Sequence, residues 1–187
     1  MKIALVQMDV AHGKPVENKK HVKEMLERAL SEKPDVIVLP EMWNTGYALD
    51  ELDGLADKEG LDSQEILSHF ARKHAVAIIG GSVAIEKDGK FYNTTYVYNK
   101  SGDLINTYSK VHLFGLMAED QYMSAGSSES VFELDGVTAT SVICYDIRFP
   151  EWVRTQMAQG AKVPFCGSAV ARTSCAAMGD STRGACG

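Results

Sequence analysis

Hydrophobic and polar positions follow the periods of strands and helices in turn along the first part of the chain. Short, continuous apolar runs at residues 2–8 and 36–39 predict buried strands. Residues 17–33 and 63–74 instead repeat apolar side chains at the three- and four-residue spacing of amphipathic helices. This alternation of strands with helices predicts an α/β fold.

The middle of the chain reads as strands joined by tight turns. Residues 76–85, 91–99 and 104–109 predict an antiparallel meander, with Gly80 and Gly81 inside its first strand. Residues 131–134 and 137–144 predict a second hairpin around the turn Asp135-Gly136, and residues 151–158 predict a helix. Because neither a repeat nor a linker interrupts this pattern, we expect a single domain.

Composition narrows the class of protein. Hydrophobic residues make up 45% and charged residues 24% of the 187 residues, which is typical of a folded globular chain. The net charge of −6 at pH 7 argues against nucleic acid or an anionic membrane as a partner. Residues 1–9 are too short an apolar run for a secretion signal, and no later run is long enough to span a membrane. We therefore expect a cytoplasmic protein.

The cysteines give no sign of a metal site. Cys144, Cys166, Cys175 and Cys186 show neither the C-x-x-C spacing nor the pairing with histidine that is typical of zinc ligands. In a reducing compartment disulfides are not expected either.

Three chemically active residues stand at the ends of predicted strands. Glu41 follows the strand at residues 36–39, Lys110 follows the strand at 104–109, and Cys144 ends the strand at 137–144. Open α/β sheets place their chemistry at such strand ends. A thiol at a turn into a helix is also close to N–H groups that favour the thiolate. Taken singly, each has an ordinary alternative: a solvated glutamate, a solvated lysine, or a buried cysteine that acts as a small hydrophobe.

The segments around these residues together resemble the three catalytic motifs of the nitrilase superfamily of carbon–nitrogen hydrolases. They read LPEMW at 39–43, YSKVHLF at 108–114 and ICYDIRFPE at 143–151, in the family's order and spacing. Residues 77–82 and 92–94 are similar as well, so that the resemblance covers residues 1–162. It implies an αββα sandwich, in which two sheets are flanked by helices, a homodimer for the complete fold, and no metal or organic cofactor.

The resemblance also implies a role for each site residue. Cys144 would be the nucleophile, Glu41 the general base, and Lys110 the cation that stabilises the tetrahedral oxyanion together with the backbone N–H of Tyr145. Glu119 would hold the substrate and the lysine in register, although Asp120 beside it leaves that assignment open. The implied reaction is hydrolysis of a small amide by water through a thioester on Cys144, with release of ammonia.

The substrate is suggested by a narrower similarity. MWNTGY at 42–47 and KVHLF at 110–114 resemble the amidase branch that hydrolyses ω-amides of small dicarboxylates, such as 2-oxoglutaramate. Hydrolysis of a nitrile by the same residues is a chemical alternative. Arg148 is a candidate counter-charge for the substrate carboxylate, or else the partner of Asp146 or Glu151 in an ion pair.

The resemblance ends after Lys162. Residues 163–187 contain no Leu, Ile, Lys, Glu, Trp or Tyr, and 17 of these 25 residues are Ala, Gly, Ser, Thr or Cys, so that neither a strand nor an amphipathic helix is expected there. Moving the reading frame forward by one nucleotide at codon 163 would permit the Trp-Pro loop, the arginine and the second tryptophan with which the family continues.

We therefore predict a carbon–nitrogen hydrolase domain over residues 1–162, with a fold incomplete at its C-terminus, and a frameshifted, disordered tail over residues 163–187. The 187-residue chain is then expected to fold poorly and to be an inactive product, whereas the chain with its frame restored is expected to be an amidase. A non-catalytic binding domain, the remnant of such an enzyme, is the alternative from another class of protein.

Overall fold

The computed structural model describes residues 1–168, which form two β-sheets with helices on their outer faces. Its strands are β1 (Ile3–Leu5), β2 (Val36–Val38), β3 (Asp57–Lys58), β4 (Ala77–Ile79), β5 (Val83–Lys87), β6 (Lys90–Tyr98), β7 (Leu104–Ser109), β8 (Val131–Leu134), β9 (Val137–Ile143) and β10 (Val163–Gly167). Its α-helices are α1 (Pro15–Leu30), α2 (Leu52–Leu55), α3 (Leu61–His74), α4 (Glu119–Tyr122) and α5 (Pro150–Ala158). Short 3-10 helices occupy Leu49–Glu51, Gly115–Met117 and Cys144–Arg148.

The first sheet combines parallel βα units with an antiparallel meander. Strands β1, β2 and β4 are parallel neighbours, and β5, β6 and β7 are antiparallel neighbours. Strand β6 pairs with β5 through its first half and with β4 through its second half, while β7 occupies its opposite edge. Strands β4 and β5 are thus two parts of one interrupted strand, which the sequence predicted as a single strand at 76–85.

The second sheet consists of the predicted hairpin β8–β9 and of β10, which is parallel to β9. The prediction that no strand would form after Lys162 is wrong for Val163–Gly167. Phe165 and Gly167 are buried and alternate with the exposed Pro164 and Cys166, which is the period of a strand. A proline is tolerated there because β10 lies at the edge of the sheet. Residues 169–187 lie outside the described residues, so the disordered, frameshifted tail stays a prediction.

The core lies in two apolar layers, but β1, which the sequence predicted as a buried strand, leaves Ile3 and Leu5 exposed. Helices α1 and α3 pack on one face of the first sheet through Val22, Leu26, Leu67 and Phe70, which meet Ile37 and Ile78. Between the two sheets lies a second apolar layer that contains Val36, Val38, Ile79, Val97, Phe132, Leu134 and Phe165.

On the far side of the second sheet, helix α5 completes the sandwich. The side chain of its buried Gln156 reaches the sheet, where its Oε1 accepts a hydrogen bond of 2.9 Å from the backbone N–H of Ser130. The predicted αββα order of layers is thereby confirmed. None of the helices within residues 1–168 combines the length and the apolar character needed to cross a membrane.

Candidate active site

Glu41 is positioned by the interruption between β4 and β5. The backbone that follows β2 enters this gap, where Pro40 O accepts a hydrogen bond of 3.1 Å from Ser82 N, and Trp43 N donates one of 3.1 Å to Ser82 O. The Oγ of Ser82 also accepts from Met42 N at 3.0 Å. These bonds fix the backbone on both sides of Glu41, whose side chain is fully buried.

Gly81 makes that close approach possible. Its φ of +61° lies in the left-handed region, and a Cβ built on it would stand 2.0 Å from Pro40 O. Any side chain at this position would push away the backbone that carries Glu41. The glycine that the sequence placed within a strand is therefore a requirement of the site.

Lys110 follows β7 and is held by its backbone on both sides. Its N–H donates to Asn93 O at 2.8 Å, and its carbonyl accepts from Gly126 N at 2.8 Å. A Cβ on Gly126 would lie 2.2 Å from Ser109 O, so a residue without a side chain is needed here too. With its main chain fixed, Lys110 extends a fully buried side chain into the site.

The buried ammonium of Lys110 lies between two buried carboxylates. Its Nζ is 2.9 Å from Oε1 of Glu41 and 2.8 Å from Oε2 of Glu119, and none of the three side chains is exposed. Burial alone would lower the pKa of Lys110, but the charges of Glu41 and Glu119 outweigh it and raise that pKa. Lys110 is therefore a permanent cation in the site.

Neutral donors complete this cluster. The Nδ2 of the buried Asn93 donates to Glu41 Oε1 at 3.1 Å and to Glu119 Oε1 at 2.9 Å. The backbone N–H of Phe114 donates to Glu119 Oε2 at 2.8 Å. Buried charges are tolerated when their remaining hydrogen-bonding capacity is used in this way. Glu119 is thus the buried partner of the lysine, while the neighbouring Asp120 is exposed.

Cys144 stands at the turn from β9 into the 3-10 helix Cys144–Arg148, as the sequence predicted. Its thiol is half-buried and lies within electrostatic reach of Glu41. Burial raises the pKa of this thiol to about 12, the charge of Glu41 adds to the effect, and the charge of Lys110 opposes it. The expectation that the helix end would favour a thiolate is therefore wrong, because burial beside a carboxylate outweighs it. At neutral pH the group is a neutral thiol, so attack by its sulfur would require a base.

Tyr145 contributes an aromatic side chain and a backbone donor next to the thiol. Its ring packs against Phe114 and Phe149, with centroid distances of 4.7 Å and 5.4 Å. Its N–H belongs to the first turn of a helix, where backbone donors have no partner within the helix. Such a donor beside Cys144 could bind an oxyanion.

Two residues of the site were not assigned from the sequence. Asn93 lay in a segment similar to the family, but its link between Glu41 and Glu119 was not predicted. An asparagine among the β-branched and aromatic residues of a buried strand was its only signal. The hydroxyl of Tyr47 lies within electrostatic reach of the cluster, since its pKa is raised by burial and by the charges of Glu41 and Glu119. Its segment shows no helix or strand period, so this placement could not be predicted.

Arg148 does not pair with Asp146, which was one of its predicted alternatives. Asp146 is fully buried and bonds to Tyr108 and His112, whereas Arg148 is exposed. Within residues 1–168, no group of three or more His, Cys, Asp or Glu side chains is arranged to hold a metal ion.

Comparison of the sequence with known proteins identifies a family and several relatives of this chain. Residues 2–182 match the family described as Carbon-nitrogen hydrolase, a match that extends past residue 162, where the predicted domain boundary lies. The chain is 50% identical over 163 residues to the 2-oxoglutaramate amidase of Bacillus subtilis (strain 168), covering 87% of this chain and 62% of that protein. It is 32% identical over 169 residues to the omega-amidase NIT2 of Danio rerio, covering 87% of this chain and 61% of that protein.

A solved structure agrees in fold. The crystal structure of Saccharomyces cerevisiae Nit3, a member of branch 10 of the nitrilase superfamily, matches with a TM-score of 0.83 at 28% identity. That match covers 93% of this chain and 66% of the Nit3 chain. The chain therefore spans less than two thirds of the length of each of these three relatives.

Proposed function

The chain belongs to the carbon–nitrogen hydrolase family, and from that premise we propose that its site hydrolyses the C–N bond of a small amide. The observation that carries the proposal is one buried cluster in which the Lys110 cation contacts Glu41 and Glu119, with the thiol of Cys144 close enough for the charges of Glu41 and Lys110 to act on its pKa. Nucleophile, base and oxyanion stabiliser are the three parts that acyl transfer from an amide requires.

The first half of the proposed reaction forms a thioester. As Sγ of Cys144 attacks the amide carbon, its proton passes to Glu41, because a thiol with a pKa near 12 does not ionise on its own at neutral pH. The oxygen of the amide becomes an oxyanion beside Lys110 and the N–H of Tyr145. Glu41 then gives the proton to the amide nitrogen, the C–N bond breaks, and ammonia leaves.

The second half of the proposed reaction returns the enzyme to its resting state. Water attacks the thioester carbon while Glu41 takes one of its protons, and Lys110 again faces the oxyanion. The C–S bond breaks, the carboxylic acid is released, and the proton on Glu41 returns to Sγ of Cys144. Every proton moves between Cys144, Glu41, the substrate and water, so that no other reactant is needed.

The proposed substrate is an ω-amide of a small dicarboxylate, of which 2-oxoglutaramate is an example. Two relatives carry the names 2-oxoglutaramate amidase and omega-amidase, which supports this class. Arg148 is the proposed counter-charge for the free carboxylate, since its guanidinium is exposed near the turn that carries Cys144. The homodimer, the cytoplasmic location and the absence of nucleic-acid and membrane partners stay predictions.

Ammonia release tests the function and separates it from the alternative of a non-catalytic remnant. The 187-residue chain and the chain with its frame restored are each assayed with 2-oxoglutaramate, a simple aliphatic amide and the corresponding nitrile. We expect Cys144→Ala to abolish turnover and Glu41→Gln to reduce kcat by about 100-fold to 10,000-fold. Glu133→Gln, a change of an exposed carboxylate on β8, is the matched control and should leave kcat unchanged.

The outcomes test the proposed amidase function separately from the predicted inactivity of the 187-residue chain. Ammonia from the restored chain alone supports the amidase and the predicted inactivity of the 187-residue chain. Ammonia from both chains supports the amidase and contradicts that predicted inactivity. If neither chain releases ammonia, or if Cys144→Ala retains turnover, the proposed function is wrong.

A further inference from the structure

A second buried carboxylate lies behind the nucleophile and takes no part in the proposed reaction. Asp146 is fully buried, two residues after Cys144. Its Oδ2 accepts hydrogen bonds from the hydroxyl of Tyr108 at 2.7 Å and from Ile143 N at 3.0 Å. Its Oδ1 accepts from His112 N at 2.9 Å and lies 2.8 Å from His112 Nδ1. Each carboxylate oxygen of Asp146 therefore has two hydrogen-bonding partners.

The partners of Asp146 surround the two site residues in sequence. Tyr108 and His112 stand two positions before and two positions after Lys110, so Asp146 binds the lysine segment on both of its sides. Ile143 directly precedes Cys144, so the same carboxylate also closes the turn that carries the thiol. Asp146 is thus bonded to the segments of both residues without touching either functional group.

The turn at Cys144 needs such support. Its φ of +44° lies in the left-handed region, which is unfavourable for a residue with a Cβ and persists only where surrounding contacts hold it. The bond from Ile143 N to Asp146 spans this turn. Tyr108 is a dependable donor in it, because burial and the charge of Asp146 raise the pKa of its phenol.

Aromatic packing fixes the other end of this arrangement. The ring of His112 stacks on Phe149 with a centroid distance of 3.7 Å, and Nε1 of Trp152 donates to the hydroxyl of Tyr108 at 3.1 Å. Phe149 and Trp152 lie at the start of α5, so the lysine segment is also tied to the helix that covers the second sheet.

We propose that Asp146 is a positioning residue that sets the placement of the Cys144 thiol relative to Lys110 and Glu41 by binding both backbone segments. Its effect on turnover rests on the proposed function, but its effect on the thiol does not. A misplacement of about 1 Å at a reacting atom can lower a rate by about 100-fold. Loss of Asp146 should therefore uncouple the thiol from Glu41.

The test measures alkylation of Cys144 by iodoacetamide at neutral pH in the 187-residue chain. Peptide mass spectrometry resolves each cysteine, and free glutathione in the same mixture serves as the reference thiol, because Cys166 itself contacts the carbonyl of Cys144. The variants are Glu41→Gln, Asp146→Asn, their double variant, and Tyr108→Phe, which removes a single bond to Asp146. Asp88→Asn is the control, because Asp88 is exposed in a turn at a φ of +51° that asparagine tolerates.

Glu41→Gln is expected to speed alkylation of Cys144 by about 10-fold, because loss of the neighbouring negative charge lowers the thiol pKa and increases the thiolate fraction. Asp146→Asn should speed it to a similar degree, and adding Glu41→Gln to Asp146→Asn should then have little further effect. Tyr108→Phe should lie between these variants and the unsubstituted chain, while Asp88→Asn should match the unsubstituted chain. Glutathione should react alike in all of the mixtures.

Dependence on Glu41 is the readout that a merely structural role would not change. If Glu41→Gln speeds alkylation by the same factor with and without Asp146, the inference is wrong. It is also wrong if Glu41→Gln has no effect in the unsubstituted chain, since there is then no thiol held beside Glu41 to position. Should Asp146→Asn unfold the chain, Cys144 will react like glutathione, and Tyr108→Phe alone then decides. Absence of ammonia release with the expected alkylation pattern contradicts only the proposed function.

Discussion

Two buried carboxylate clusters lie on either side of the lysine segment, and they differ in what they bind. Glu41 and Glu119 share the cation of Lys110, whereas Asp146 accepts from an O–H and from N–H groups. The first cluster therefore holds charge where a reaction could use it. The second holds the backbone segments that carry Lys110 and Cys144 in place.

The segment that contains Lys110 belongs to both clusters. Side chains at alternate positions, Tyr108, Lys110 and His112, divide between them, with Lys110 in the charged cluster and its two neighbours on Asp146. Within the motif YSKVHLF, Lys110 therefore supplies the charged group, and Tyr108 and His112, two positions away on either side, supply the hydrogen bonds to Asp146.

The largest expected effect comes from removing the shared cation. Lys110→Met keeps the length of the side chain but leaves Glu41 and Glu119 buried without their positive partner. Breaking a buried pair in this way costs about 3–5 kcal/mol, which we expect as the loss of unfolding free energy in urea. Turnover should be lost as well.

Lys100→Met is the matched control. Lys100 pairs with Asp35 and Asp135 at the surface, and an exposed pair contributes about 0–1 kcal/mol. If the two lysine variants lose similar stability, the charged cluster is not the buried network described above.

The sequence predicted most of the fold and the chemically active part of the charged cluster. The period of helices α1 and α3 and the apolar runs of β2 and β9 were sufficient, because each of these elements buries one side or both. Glu41, Lys110 and Cys144 were identified from their positions at the ends of predicted strands and from the resemblance of the surrounding segments to family motifs. Their roles in catalysis stay predictions.

The supporting contacts could not be predicted. Asn93 reaches Glu41 from a segment 52 residues away, Tyr47 lies in an irregular segment six residues after Glu41, and Asp146 was read only as a partner for Arg148. The local pattern of polar and apolar residues does not indicate which buried polar side chains form hydrogen bonds with one another. Strand β10 was missed for a different reason, since a composition rich in small residues concealed its period of two.

Gly81 gives the next largest effect and tests how the charged cluster depends on its backbone. Gly81→Ala would combine a positive φ with a contact of 2.0 Å to Pro40 O, so that the segment bearing Glu41 must move. We expect a loss of about 3 kcal/mol in unfolding free energy from overpacking and strain, with faster alkylation of Cys144 as Glu41 leaves its thiol.

The control for Gly81 is Gly89, in the turn between β5 and β6. Its φ is +70°, but a Cβ there would have no atom within 4 Å, so Gly89→Ala isolates the cost of the backbone conformation at about 1 kcal/mol. Equal losses at the two glycines would show that docking of the Glu41 segment contributes nothing beyond φ.

The smallest effect is a change in ionisation, and it separates the two clusters by their charge. Thiolate absorbance in the ultraviolet, taken as the difference between the chain and its Cys144→Ala variant, should show that Cys144 ionises far above the usual thiol pKa of about 8.5, because its pKa is raised to about 12. Since the folded state then keeps a proton that the unfolded state releases, this thiol's contribution to stability is fully present below the unfolded pKa. It is lost as the pH rises through the folded pKa.

Glu41→Gln removes a neighbouring negative charge and should lower the pKa of Cys144, while Lys110→Met removes a positive charge and should raise it. Asp146→Asn should move that pKa only through displacement of the thiol from Glu41, that is, in the same downward direction as Glu41→Gln. A rise in the Asp146→Asn variant would place Asp146 among the groups that support ionisation and would contradict the division between a charged cluster and a positioning cluster.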